Sequence, residues 1–271
     1  LVTQPVDDVA PRPEVGDAVT PRIQSLARAD AILTAVMRSG DPVTPLSRIA
    51  ADLRLNKTTV FNLAESLVAL GFLARSEDPK GYRLGLRCLE LGRHITKNLP
   101  VLEISRPYLR ELCQSTRETV NLAVPYLQEA IIVEALQSQQ AVRATAYAGT
   151  RSNYHSSACG KAMLAHFPQE QRDWLYRCVG LKRMTPYTIC SVEALEADLV
   201  ATRARGYALD QQENEIGAFC IGMPLFGPFN EIVGSISVSG VIQRMTPDFV
   251  QQIVGQLSSR TRRISKELGH P

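Results

Sequence analysis

Long apolar runs are missing from this sequence. No stretch approaches the ~18–20 consecutive apolar residues that span a bilayer, so no membrane-spanning helix is expected. The first 21 residues are rich in Pro and Asp and lack the apolar core of a secretory signal. Paired cysteine motifs are missing as well. The six cysteines, at positions 88, 113, 159, 178, 190 and 220, form no C-x-x-C pair and no disulfide framework, and read as reduced thiols of a cytoplasmic protein. His155, Cys159 and Cys220 have loose spacing, and no second ligand pair closes a tetrahedral site around them. No metal and no cofactor are therefore expected.

What is present is an ordinary globular mix, 45% apolar and 21% charged, over 271 residues, a length comfortable for two domains. The net charge of +3 divides unevenly. Residues 1–21 hold one Arg against Asp7, Asp8, Glu14 and Asp17. Residues 22–98 hold twelve Lys/Arg against seven Asp/Glu, whereas residues 99–271 hold 17 against 16. The positive excess sits in one small segment, where a phosphate backbone would want it.

Residues 1–21 show no periodicity and read as a disordered tail. A helical pattern then runs from Pro21 to Gly40, with Leu26, Ala29, Leu33, Val36 and Met37 on one face. Thr44-Pro45 opens a short second helix with Leu46, Ile49, Ala50 and Leu53 inward. The turn Arg54-Leu55-Asn56 leads to a third helix stopped by Gly71. Phe72–Arg75 and Tyr82–Leu84 read as a hairpin across a turn at 77–81. Three helices and a hairpin are the plan of a winged helix-turn-helix over 22–85. A weakly amphipathic segment, 86–99, with Leu86, Leu89 and Ile95 as its apolar residues, reads as a linker helix.

Beyond it, residues 100–271 alternate between helices and strands. Strands are expected at 118–126, 130–136, 141–147, 207–210, 218–226 and 231–239, and helices at 101–116, 155–166, 168–178, 192–204 and from Thr246-Pro247 onward. The class is α+β with a mostly antiparallel sheet.

In a helix-turn-helix, the start of the second helix reaches base edges in the major groove. Here that start offers Asn56, Lys57, Thr58, Thr59 and Asn62. Lysine can meet phosphate or guanine, asparagine can pair adenine, and threonine methyls can touch thymine. Arg75, Lys80 and Arg83 of the hairpin could lie along the DNA backbone. Arginine is absent from the recognition helix, and a protein-binding module of the same plan is the competing reading. Phe61, exposed in this register, could pack under the wing instead.

The segment HSSACGKAML, from His155 to Leu164, admits several chemistries. A P-loop needs a Gly separated by four residues from its Gly-Lys and Ser/Thr after it, but His155 and Ala162 stand there. A Cys159–His155 nucleophile pair would want an orienting third group that nothing here requires. A pocket wall remains: small residues at a helix start leave space and expose amide N–H groups. Downstream, EIVGSISVS sets Ser235, Ser237 and Ser239 on one face, either lining that pocket or forming the solvent face of an edge strand.

Three stretches in order, LSRIAADLRLNKTTVFNLAESLVALGFL…GYRLG, HSSACGKAML and ENEIGAFCIGMPLF…EIVGSISVSG, resemble the IclR family of bacterial transcription regulators over roughly residues 22–268. The resemblance implies a winged helix-turn-helix joined by a linker helix to a GAF-like effector-binding domain, assembled as homodimers or dimers of dimers. It implies a ligand-responsive regulator of a catabolic operon that binds a double-stranded DNA operator and a small organic acid, aldehyde or lactone. It also implies effector contacts from Ala158, Cys159, Gly160, Asp210, Cys220, Ser237 and Ser239; Lys161, by contrast, is expected to turn to solvent or an ion pair. Relatives carry a His-Arg-like pair where this chain has Phe61-Asn62, so no operator sequence follows. A cysteine-dependent enzyme acting on a small carbonyl compound is the alternative.

Overall fold

Residues 22–271 are described by the computed structural model, and the tail expected over 1–21 lies outside them. The chain divides at residues 98 and 99 into two units, each with its own core.

The first unit contains α1 (Gln24–Arg38), α2 (Leu46–Leu53), α3 (Lys57–Ala69), β1 (Leu73–Glu77), β2 (Lys80–Leu84) and α4 (Leu86–Lys97). Its core joins Ile32 and Val36 of α1, Ile49 and Ala50 of α2, Val60, Ala64 and Leu67 of α3, and Leu73 and Tyr82 of the hairpin. The buried stripe of α1 is rotated from the expected one. Ile32 is central to it, while Leu26 and Met37 lie outside it and are exposed. The cap of α2 falls one residue later than expected: Pro45 is the N-cap, and the Thr44 hydroxyl donates to Ser39 instead. Arg54, in the left-handed region at φ 53°, turns the chain between α2 and α3. Thr44 and Tyr82 form a β-bridge that ties the hairpin to the entry of α2. No residue of α4 is buried, and Leu86, Leu89 and Ile95 are exposed.

The second unit contains α5 (Pro100–Thr116), β3 (Thr119–Tyr126), β4 (Glu129–Leu136), β5 (Arg151–Ser152), α6 (Ala158–Leu164), α7 (Gln169–Val179), α8 (Val192–Arg205), β6 (Ala208–Gln211), β7 (Ala218–Phe226), β8 (Ile232–Val241) and α9 (Pro247–Glu267). The six strands form one sheet in the order β5-β4-β3-β8-β7-β6, with every pairing antiparallel. Residues 141–147 form no strand, contrary to expectation. The start of the β4 edge is occupied by β5 and by the Gly149 and Thr150 backbone at Ile132. Residues 141–147 cross as coil, held by the Thr119 hydroxyl on the Ala144 carbonyl (2.6 Å) and by Gln137 on the Ala146 carbonyl.

Alternation along the strands gives the sheet two faces. Val120, Leu122, Ile221, Met223, Ile236 and Val238 pack with Leu109 of α5 and with Ile253 and Leu257 of α9. The opposite face lies under α6. Gly222 permits the close approach there, since a Cβ on it would stand 2.3 Å from the Ala158 carbonyl oxygen.

Candidate functional site

In the first unit the recognition helix is fixed from its start. The Asn56 side chain accepts from the Thr59 amide at 2.7 Å, so this residue caps α3. Thr58, Phe61 and Asn62 are exposed on the side opposite Val60, Ala64 and Leu67, Lys57 is exposed at the helix start, and Thr59 is half-buried. Phe61 is 44% exposed and does not pack under the wing. Lys57, Lys80 and Arg83 have no ion pair among the described residues. Arg75 differs: its guanidinium is paired with Glu65 of α3, which also accepts a hydrogen bond from the Tyr82 hydroxyl at 2.9 Å. Burial, with Glu65 adding to it, pushes the Tyr82 phenol up to about 12.

In the second unit the strand register builds a polar floor. Thr119, Ser239, Cys220 and Asp210 form one row across β3, β8, β7 and β6, and Asn121, Ser237 and Gly222 form the next. Strand β8 is central, so its serines are buried at 0–6% exposure and do not form a solvent face. A cavity of about 130 Å³ lies over these rows. Its lining includes Ala158, Cys159, Asp210, Cys220, Ser237 and Ser239 together, six of the seven residues the family resemblance points to. Gly160 is outside the lining, and its amide is already taken by the Ser157 hydroxyl at 3.0 Å. Helix α6 starts at this Ser157 cap, three residues later than expected.

Asn121 was not anticipated. Its amide group donates to the Ser237 and Ser239 hydroxyls at 3.4 and 3.3 Å, and its buried Oδ1 has no partner. Thr119, Ser152, Ser157, Asn214 and Glu215 complete much of the polar wall. The signal for Asn121 was in the sequence: Thr119 and Asn121 alternate with Val120 and Leu122 as the serines of β8 alternate with Ile236 and Val238.

Asp210 anchors the loop that closes one side. Its Oδ1 accepts from the amides of Glu213 (2.8 Å) and Asn214 (3.2 Å). Burial chiefly pushes its carboxyl up to about 7, against the pull of the Asn214 amide. Behind the wall, Lys161 is 1% exposed and meets Glu213 Oε1 at 2.6 Å and Asp198 Oδ2 at 2.9 Å. The ion-pair expectation for Lys161 holds, and the solvent one does not. This ammonium locks α6, α8 and the loop after β6 together.

The thiols of the site are poor nucleophiles. Burial pushes both Cys159 and Cys220 up, and a thiol is reactive only as thiolate. His155 precedes α6, and its Nε2 is bonded to the Lys182 carbonyl at 2.9 Å, not to Cys159. Among the described residues no His/Cys/Asp/Glu cluster could hold a metal ion, and no helix is long and apolar enough to cross a membrane.

Residues 25–77 match the IclR helix-turn-helix domain, and residues 93–266 match the C-terminal domain of the bacterial transcriptional regulator IclR. The HTH-type transcriptional repressor AllR of Klebsiella pneumoniae is 34% identical over 248 residues, covering 91% of this chain and 90% of that protein. The IclR structure from Thermotoga maritima superposes with a TM-score of 0.73 at 28% identity, covering 91% and 99% of the two chains. An IclR homolog from Microbacterium hydrocarbonoxydans, complexed with 4-hydroxybenzoate, superposes with a TM-score of 0.77 at 25% identity, covering 90% and 98%.

Proposed function

This chain belongs to the IclR family of bacterial transcriptional regulators, and on that premise we propose that it is a repressor whose DNA binding is controlled by a small molecule in the cavity beneath α6. The carrying observation is the buried polar floor. Strands that could bury apolar side chains on both faces instead bury Asn121, Ser237 and Ser239 on one, with the Asn121 Oδ1 unpartnered. Buried polar groups are costly unless paired, and a polar ligand would pair them.

The effector is a small organic acid, aldehyde or lactone of a catabolic pathway, and the 4-hydroxybenzoate complex of the Microbacterium homolog supports that class. Ser237, Ser239, Cys220 and Asp210 contact it from the sheet, and Ala158 and Cys159 from α6. Lys57, Thr58 and Asn62 read the operator, with Asn56 and Thr59 securing the helix start and Lys80 contacting phosphate. A homodimer or dimer of dimers in the cytoplasm would match a near-palindromic operator, with the 86–97 helix as the connection between the units. For control, the effector must bind the DNA-free and DNA-bound states with different affinities.

The test is a thermal-shift screen with 4-hydroxybenzoate, small aliphatic acids, semialdehydes and lactones. Binding to the folded state alone raises the unfolding midpoint. At least one compound is expected to raise it in the wild type and to lose that effect in Ser237→Ala/Ser239→Ala. An undiminished shift in the double variant would place the effector elsewhere. Sequence-dependent DNA binding lost in Lys57→Ala/Asn62→Ala tests the other unit.

A further inference from the structure

The recognition helix carries an acidic group on the face that would meet DNA. Glu65 follows exposed Phe61 and Asn62 by one turn, on the side opposite the buried residues of α3. A free carboxylate there repels phosphate, but this one is engaged twice. The Tyr82 hydroxyl donates to Glu65 Oε1 at 2.9 Å, and Arg75 pairs with Glu65 Oε2. Arg75 and Tyr82 stand directly opposite each other on β1 and β2, so one cross-strand pair of the wing converges on one carboxylate of the recognition helix.

Tyr82 makes this geometry firm. It is 4% exposed and exchanges two backbone hydrogen bonds with Thr44, at 2.8 and 2.9 Å. The acceptor is thus fixed by a buried partner, and the half-exposed Arg75 is drawn to it. Lys80 and Arg83 of the same wing have no such partner among the described residues.

We propose that Glu65 is an intramolecular stand-in for a DNA phosphate: it holds Arg75 off the duplex, sets the wing against the recognition helix and lowers affinity for non-specific DNA. Arg75, expected from sequence to be a backbone contact, is on this account a reserved cation. The proposal stands on the DNA-binding unit alone and is independent of the effector cavity.

The experiment is equilibrium binding of the full-length protein to a random-sequence duplex across a salt series, with thermal unfolding of each variant alongside. In Glu65→Gln the side chain still accepts from Tyr82 but no longer pairs with Arg75. This variant is expected to bind roughly three- to tenfold tighter at low salt, with the slope of log K against log salt steeper by about 0.9, the value of one added phosphate contact. Arg75→Ala, which frees the Glu65 carboxylate, is expected to flatten the slope by much less than about 0.9, and Glu65→Gln/Arg75→Ala to return to the wild-type slope. A slope flattened by about 0.9 in Arg75→Ala would overturn the proposal, because the guanidinium would already be on phosphate. So would an unchanged slope in Glu65→Gln. A gain that survives in full in the double variant would also overturn it, by assigning the effect to the charge of Glu65 itself. Should Glu65→Gln fail to fold, the exposed Arg75→Ala decides by the same slope.

Discussion

Strands β3, β7 and β8 present Leu122, Ile221 and Ile236 to α5 and α9, and Asn121, Cys220 and Ser237 to the underside of α6. Both faces are buried, but the one under α6 sets Asn121, Ser237 and Ser239 beside apolar Ala123, Ala130 and Ile132. The apolar face gains from the area it removes from water. The polar face buries hydroxyl and amide groups that water had satisfied, and it leaves the Asn121 Oδ1 unpaired. On the function proposed above, stability and sensing fall to opposite faces of the same three strands. A substitution on one side should damage one property and largely spare the other.

The largest effect is expected where the polar side is braced. Lys161→Met leaves the buried Glu213 carboxylate without a cation and Asp198 with Arg205 alone, and breaking such a buried pair costs about 3–5 kcal/mol. A denaturant midpoint measures it, and adding Glu213→Gln should recover part of the loss. Next comes the apolar face. Ile236→Ala removes a fully buried side chain at a cost of about 2–4 kcal/mol, while the thermal shift given by a bound ligand persists. Loss of the ligand effect in that variant would break the separation of faces.

A smaller effect belongs to pH. Burial raises the Asp210 carboxyl from an ordinary 3.8 to about 7, so the folded state keeps a proton that the unfolded chain has already released. The stability from this group is full below its unfolded pKa and is lost as pH rises through about 7. Wild-type unfolding midpoints should therefore fall more between about pH 5 and about pH 8 than those of Asp210→Asn. The smallest stability effect is expected for Ser237→Ala and Ser239→Ala, within about 1 kcal/mol each. Their loss should appear in ligand response alone.

Sequence made the reading unit legible because its signals are local. Asn56 three residues before Thr59, Gly71 after α3, and the apolar spacing of α2 each act within one or two turns. The rotated stripe of α1 was missed because Leu26 and Met37 satisfy helical spacing without facing the core. The cavity is assembled from strands far apart in sequence. The serine alternation of β8 was visible, but only its central place in the sheet turned that face inward. Asn121 lay in an equally clear alternation and gained meaning only through its register with Ser237. No local pattern could join Lys161 to Asp198 and Glu213, which come from a separate helix and loop. Residues 141–147 carried strand-like composition, but side chains of Thr119 and Gln137, not a strand ladder, hold their carbonyls.

The most direct test of ligand control from the polar face is operator affinity measured with and without the compound that best stabilises the wild type. A change of roughly tenfold or more is expected in the wild type, corresponding to about 1.4 kcal/mol of coupling, and none in Ser237→Ala/Ser239→Ala. An equal change in that double variant, with its fold intact, would contradict the assignment of sensing to this face of the sheet.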